Sequence, residues 1–170
     1  MANRVSLKEF QAGLASRLKA AATEAAPSAR LGFEAGGAHW VARLDTAGEV
    51  LRVPEIQRVP LTRDWFLGVA NIRGSLYGIT DFGAFLGQPP TARGPENRLL
   101  LIGQPVGMNC AVLVSRLTGL RNVAEYTSET ASQQTAWTAA AWRDKDGRFW
   151  RELDTGQLLA HREFLEIAAH

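Results

Sequence analysis

Arg73 and Gly74 stand between two apolar pairs, Val69 with Ile72 and Leu76 with Ile79. Two short strands meeting at an Arg-Gly pair predict a tight hairpin, because glycine supplies the positive φ that such a turn needs, and they place a guanidinium at its tip. The chemistry on offer there is binding. Ser75 follows the arginine, but no histidine lies near it in sequence and no G-x-S-x-G elbow surrounds it. The glycines of this region fit neither G-x-G-x-x-G nor Walker spacing, and no long helix starts after them, so a phosphate-cradling loop is not indicated. The three histidines, His39, His161 and His170, lie far apart, and neither Cys-x-x-Cys nor His-x-x-x-His occurs. They read as surface or capping residues, leaving no catalytic constellation, no metal site and no cofactor motif. Cys110, the single cysteine, sits inside the apolar run Met108 to Leu117 and reads as a core thiol of a reducing compartment.

The hairpin belongs to a longer unit running from Gly68 to Gly87. Asp81 follows the second strand and is placed to cap the next segment, in which Phe82, Phe85 and Leu86 recur at helical spacing before Gly87 ends it. Five tryptophans raise a different possibility. Small barrels bind single-stranded nucleic acid by stacking bases on aromatic rings in a basic groove, and Trp142-Arg143 and Trp150-Arg151 combine both ingredients. Against that stand a formal net charge of only +2, from 19 basic and 17 acidic residues, and the absence of Lys/Arg clusters, since phosphate neutralisation dominates such affinity.

A chain of 170 residues, 46% hydrophobic and 21% charged, can bury one real core. No apolar stretch approaches the ~20 residues that cross a bilayer, and the first residues lack the apolar core of a secretory signal. The expectation is a cytoplasmic protein with no direct membrane insertion. Residues 1–26 read as an amphipathic helix. Ser6 and Glu9 form a capping box, Leu7, Phe10, Leu14 and Leu18 make a narrow apolar stripe, and Pro27 ends it. Such a stripe either docks on the domain or awaits a partner. From Leu31 the period changes to two. A hairpin is predicted over Leu31 to Leu44 with its turn at Glu34 to Ala38, then a strand at Glu49 to Val53. Gln88 to Glu96, rich in Pro and Gly, is the clearest loop and the candidate boundary between two halves. Beyond it come strands at Arg98 to Ile102 and Met108 to Leu117, a polar loop at Thr127 to Gln134, and a hairpin turning at Asp146-Gly147. A last helix is expected over residues 154–168. Many short strands with frequent turns predict a mainly β protein, a barrel or sandwich.

Gly68, Val69, Asn71, Ile72, Arg73, Gly74 and Asp81 match a pattern of roughly G-V-x-N-[LI]-R-G followed by an apolar strand ending in Asp, and the stretch closely resembles the signature of the CheW-like family. The resemblance extends from Leu31 to Leu159 and includes the Asp146-Gly147 turn and Leu158-Leu159. It implies two small five-stranded SH3-like β-barrels, the first over about residues 31–88 and the second over about 97–153, within a domain spanning 27–170. It also implies an adaptor without catalytic activity, whose partners are the cytoplasmic hairpin tip of a chemoreceptor and the regulatory domain of a CheA-type histidine kinase. By the same resemblance Arg73 supplies the charged receptor contact, Gly68, Asn71 and Gly74 shape the backbone around it, and Leu44 and Ala47 mark the kinase contact. The Gly-Val-Ala-Asn form and the N-terminal helix look most like the family members that serve type IV pilus twitching motility. Four positions depart from the family pattern: Phe82-Gly83 replaces Leu-Arg after the Asp, Ser115 replaces an Asp after Val114, and Gly78 replaces a strand proline.

Because the resemblance starts near Leu31 and Pro27 ends the preceding helix, a chain beginning near Arg30 is expected to stay soluble and unfold cooperatively. Urea denaturation checks this, and aggregation would show instead that Leu7, Phe10, Leu14 and Leu18 cover core surface.

Overall fold

The computed structural model describes residues 27–103, 107–130 and 134–169. The predicted N-terminal helix and His170 lie outside the described residues. The chain runs β1 (Ala29–Ala35), β2 (Ala38–Arg43), β3 (Val50–Arg52), β4 (Phe66–Ile72), β5 (Ser75–Asp81) and a helical turn α1 (Phe82–Phe85). After the Pro-rich loop come β6 (Arg98–Leu101), β7 (Cys110–Val114), β8 (Arg116–Asn122), a 3-10 turn (Val123–Glu125) and β9 (Thr127–Glu129). The chain closes with β10 (Thr138–Arg143), β11 (Phe149–Leu153), α2 (Thr155–Ala160) and α3 (Arg162–Leu165).

The strands form two sheets, a six-stranded one in the order β8-β1-β2-β11-β10-β9 and a five-stranded one in the order β3-β6-β7-β5-β4. These strands do not sort in chain order on either side of the loop of residues 88–96. Strands β1 and β2 join the later β8 to β11, whereas β6 and β7 join the earlier β3 to β5. Two parallel pairings make the exchange, β2 with β11 and β5 with β7. The reason is burial. Leu99 and Leu101 face one side of the five-stranded sheet while Leu100 and Ile102 face the other, and Ala111 and Leu113 alternate with Val112 and Val114 in the same way. Strands apolar on both faces belong in a sheet's centre, where parallel neighbours can flank them.

Between the sheets lies the main core, where Phe33, Trp40 and Ala42 meet Phe82, Val112 and Leu153. Phe82 is fully buried, with ring centroids 6.3 Å from Phe33 and 5.1 Å from Trp40. A second cluster, with Ile72, Tyr77, Ile79 and Leu113, covers the outer face of the five-stranded sheet. A third, Val41, Val123 and Trp150, covers part of the other sheet's outer face.

Two further expectations change. The polar stretch from Thr127 holds a short strand, β9, because its backbone completes the edge of β10 even though its side chains bury little. The last helix is two pieces. His161 is extended at φ −78° and ψ 129°, its ring packs edge-on to Trp137 at 4.8 Å, and the break lets Phe164 stack on Trp65. Cys110 is half-buried, and burial pushes its thiol up to about 11, which favours the protonated form at neutral pH.

The Asp-Gly hairpin turns as predicted, and Asp144 organises it. The carboxylate accepts from the backbone N–H of Asp146 and of Arg148, each at 2.9 Å, and from Trp150 Nε1 at 2.9 Å. Burial pushes this carboxyl up, but the bonds from Trp150, Arg148 and Asp146 outweigh it and hold the group below its usual range. Asp144→Ala leaves the Trp150 indole N–H buried without an acceptor and should cost about 1–3 kcal/mol in chemical denaturation. A carboxyl lowered in the folded state stabilises above its unfolded pKa and loses that contribution as pH falls through the folded value. The margin of wild type over Asp144→Asn should therefore hold at neutral pH and shrink only below about pH 4.

Candidate functional site

Strands β4 and β5 pair in register from Phe66 with Thr80 to Ile72 with Ser75, so Arg73 and Gly74 are the two turn residues. Both are left-handed, at φ 52° and 84°, the combination a two-residue turn uses to match strand twist. The sequence assigned positive φ to glycine alone, yet Arg73 shares it. Asn71 locks the turn, its Oδ1 accepting from Gly74 N–H at 2.8 Å. Gly68 acts at the base of the hairpin. At φ 128° a Cβ there would stand 2.0 Å from the Gln57 carbonyl oxygen, and the missing side chain lets Gln57 pair with Val69 through bonds of 2.8 and 2.9 Å.

Arg73 is 70% exposed, but it is not alone. Its guanidinium grips Glu49 with both terminal nitrogens, Nη1 to Oε2 at 2.6 Å and Nη2 to Oε1. The hydrogen bond and charge of Glu49 raise the arginine's pKa further. Glu49 is held in turn by backbone, because its carbonyl accepts from Leu101 N–H at 2.9 Å and Gly48 presses against the Leu101 carbonyl, where a Cβ would come within 2.3 Å. A cleft of about 340 Å³ opens beside the pair, between Glu49, Ser75 and Tyr77, and Leu76 stands 60% exposed next to the tip. The site thus presents a fixed, bidentate ion pair beside an apolar side chain. Sequence reasoning missed Glu49, whose only signal was its position at the start of β3, 24 residues before Arg73.

Asp81 caps α1 as expected, accepting from Ala84 N–H at 3.2 Å. It also binds Thr91 through backbone N–H at 2.8 Å and hydroxyl at 2.7 Å, which ties the Pro-rich loop to the signature strand. The glycines among the departures from the family pattern have local causes. Gly83 lies against the β1–β2 turn, where a Cβ would come within 2.9 Å of Gly36 N. At Gly78 a Cβ would stand 3.3 Å from the Phe66 ring, whereas nothing in the structure explains Ser115, whose backbone carbonyl accepts from Asn97 Nδ2 at 3.0 Å. Leu44 is half-buried in the turn after β2, whereas Ala47 is 2% exposed and packs in the main core, so of the two only Leu44 offers side-chain surface.

Among the described residues no group of three or more His, Cys, Asp or Glu could hold a metal ion. The contacts of His39 are Glu34 and the Trp150 ring, which provides no base for Ser75. Trp150, Trp40 and Trp137 are 0%, 2% and 7% exposed, Arg143 is paired with Glu129, and Arg151 lies over Trp40 and Phe149. The aromatic platform that a single-strand binder needs is therefore largely inside the protein. No helix among the described residues is long and apolar enough to cross a membrane.

The family model for the CheW-like domain matches residues 30–163. The chain belongs to the CheW-like family. It is similar to Protein PilI of Pseudomonas aeruginosa, 30% identical over 144 residues that cover 81% of this chain and 79% of PilI. Its fold is similar to that of the crystal structure of the scaffolding protein TtCheW from Thermoanaerobacter tengcongensis, with a TM-score of 0.64, 14% identity, and coverage of 75% of this chain and 84% of that one. The residues of the Arg73 hairpin, its lock and its cap all lie within the CheW-like match.

Gly68→Ala should be among the costlier single substitutions in this region, since it combines a left-handed backbone with a methyl driven into a carbonyl. The expected loss is on the order of 3 kcal/mol by urea denaturation, far beyond a surface change. A loss under about 1 kcal/mol would show that the Gln57 segment yields without penalty.

Proposed function

We propose that this chain is a non-catalytic adaptor coupling a methyl-accepting chemoreceptor to a CheA-type histidine kinase in a chemosensory array that controls type IV pilus twitching motility. The carrying observation is an exposed, turn-locked Arg73 in a chain that belongs to the CheW-like family. The similarity to PilI supports the pilus output. In this reading the chain works in the cytoplasm, recruited to membrane-associated receptor arrays, and the tip of a receptor hairpin meets the surface around Arg73, Asn71 and Gly74. Gly68 serves by holding the hairpin base. The kinase regulatory domain meets the turn after β2, where Leu44 offers the contact and Ala47, whose N–H donates to the Arg43 carbonyl at 2.8 Å, shapes the backbone beneath it.

The physical logic is that a receptor carboxylate can replace or share the grip of Glu49 on a guanidinium already in place, so little side-chain freedom is lost on binding. Arg73→Ala removes the charged contact from a site open to solvent. Titration against a receptor hairpin fragment should show about a thirtyfold loss of affinity, the size expected for a desolvated charged contact, with an unchanged melting temperature. Affinity for the kinase regulatory domain should be largely spared. Unchanged receptor affinity, or a large fall in melting temperature, would make Arg73 a structural residue and remove the support for receptor coupling.

A further inference from the structure

A second charged site lies on the outer face of the six-stranded sheet. Register places Arg116 of β8 opposite Glu34 of β1, Glu34 opposite His39 of β2, and His39 beside Trp150 of β11, so four adjacent strands contribute one continuous row. Arg116 holds Glu34 through two bonds of 2.9 and 2.7 Å, and His39 Nε2 lies 3.4 Å from the same carboxylate. The Arg116 hydrogen bond keeps Glu34 below the usual carboxylate range despite partial burial, so it stays ionised.

Two more arginines close over this row. Arg121 lays its guanidinium 4.9 Å from the centre of the Trp150 ring and donates from Nη2 to the Thr118 carbonyl at 2.8 Å. Its aliphatic chain and the Thr118 hydroxyl fill the space over Gly32, where a Cβ would come within 2.5 Å of Thr118 Oγ1 and 3.0 Å of Arg121 Cγ. Arg148 enters from the turn before β11. Among the described residues neither Arg121 nor Arg148 forms an ion pair, and Arg121 Nε and Thr118 Oγ1 are buried without a hydrogen-bond partner. Together these groups line a cleft of about 290 Å³ in which three arginines face one lining carboxylate, and although Asp144, bonded to the Trp150 indole, also acts electrostatically on Arg148, positive charge remains in excess.

We propose that this cleft binds a phosphoryl group. Arginine forks match the several oxygens of a compact dianion, and two of the three are unpaired while packing holds Arg121 in place. The buried Thr118 hydroxyl and Arg121 Nε–H are polar groups whose lack of a partner a small anion at the cleft wall would relieve. Trp150 is fully buried and presents no face to a nucleobase, so recognition centres on the phosphoryl group, whether carried by a small molecule or by a modified side chain of a partner protein.

The test is a titration of the full chain with inorganic phosphate at constant ionic strength, followed through the Trp150 indole N–H resonance. A saturable shift that chloride does not reproduce is expected. Arg121→Gln with Arg148→Gln should weaken it about tenfold or more without changing the melting temperature. Arg148→Gln alone, on an exposed turn, keeps the test sound if the double variant unfolds. Parallel titrations with ATP and with a phosphoserine peptide separate the sources, the tighter binder naming which one the cleft serves. Absence of saturation, or binding that survives loss of the arginines, would overturn the proposal, and neither result bears on Arg73, which lies on the other sheet.

Discussion

Two parallel strand pairings hold this protein together, and almost every other feature follows from them. Trp150 to Leu153 align with His39 to Ala42, and Cys110 to Asp81's partner Leu113 align along Gly78 to Asp81. Each joins segments far apart in sequence, so the entropy of closing a long loop must be offset by what the closure buries. The offset is visible in the residues at the seams. Trp150, Leu153, Ile79 and Leu113 are at most 1% exposed, and on the order of 25 cal/mol for each Å² of apolar surface removed from water makes such side chains the main stabilising contribution. Once the seams are closed, β1 is committed to one sheet and β4 to the other, and the chain cannot be divided at its Pro-rich loop.

That constraint explains which parts of the fold were legible in the sequence. Hairpins were, because a turn and its flanking alternation lie within a dozen residues: Arg73-Gly74 and Asp146-Gly147 both turn where composition says they must. The N-cap role of Asp81 was legible for the same reason, a carboxylate standing just before a helical turn. The parallel pairings were not, since nothing local to Val41 or Cys110 records which distant strand lies beside it. Strand β9 was missed because its residues bury little and its membership comes from backbone hydrogen bonds alone. The break at His161 was missed because Leu158, Leu159, Phe164 and Leu165 keep a helical rhythm across a residue that is extended.

The functional residues divide along the same line. Arg73 was legible as a turn residue because the Arg-Gly pair places it at the tip, whereas Asn71 came only with the family resemblance, and the structure gives it a mechanical task, its side chain accepting from Gly74 N–H. Glu49 and Thr91 were invisible because each meets its partner across the five-stranded sheet or a loop rather than along the chain. The inward direction of Ala47 was not legible for a related reason: position along a turn does not tell inward from outward, and its side chain packs with the core.

The sheet edges show how one small chain can keep its surfaces apart. A strand at an edge invites pairing with other chains unless something blunts it. At β4 the Gln57 segment occupies the far side, admitted by Gly68, so the hairpin that carries Arg73 is covered at its base and free only at its tip. At β8 the ladder with β1 shifts register at Gly32 and Phe33, and Arg116 and Arg121 charge its length. A bulge and two guanidiniums discourage strand addition while leaving a shaped cationic face. The residues that protect the second sheet from unwanted pairing are therefore the ones that give it recognition chemistry, and they do so on a sheet whose strands do not include the Arg73 hairpin.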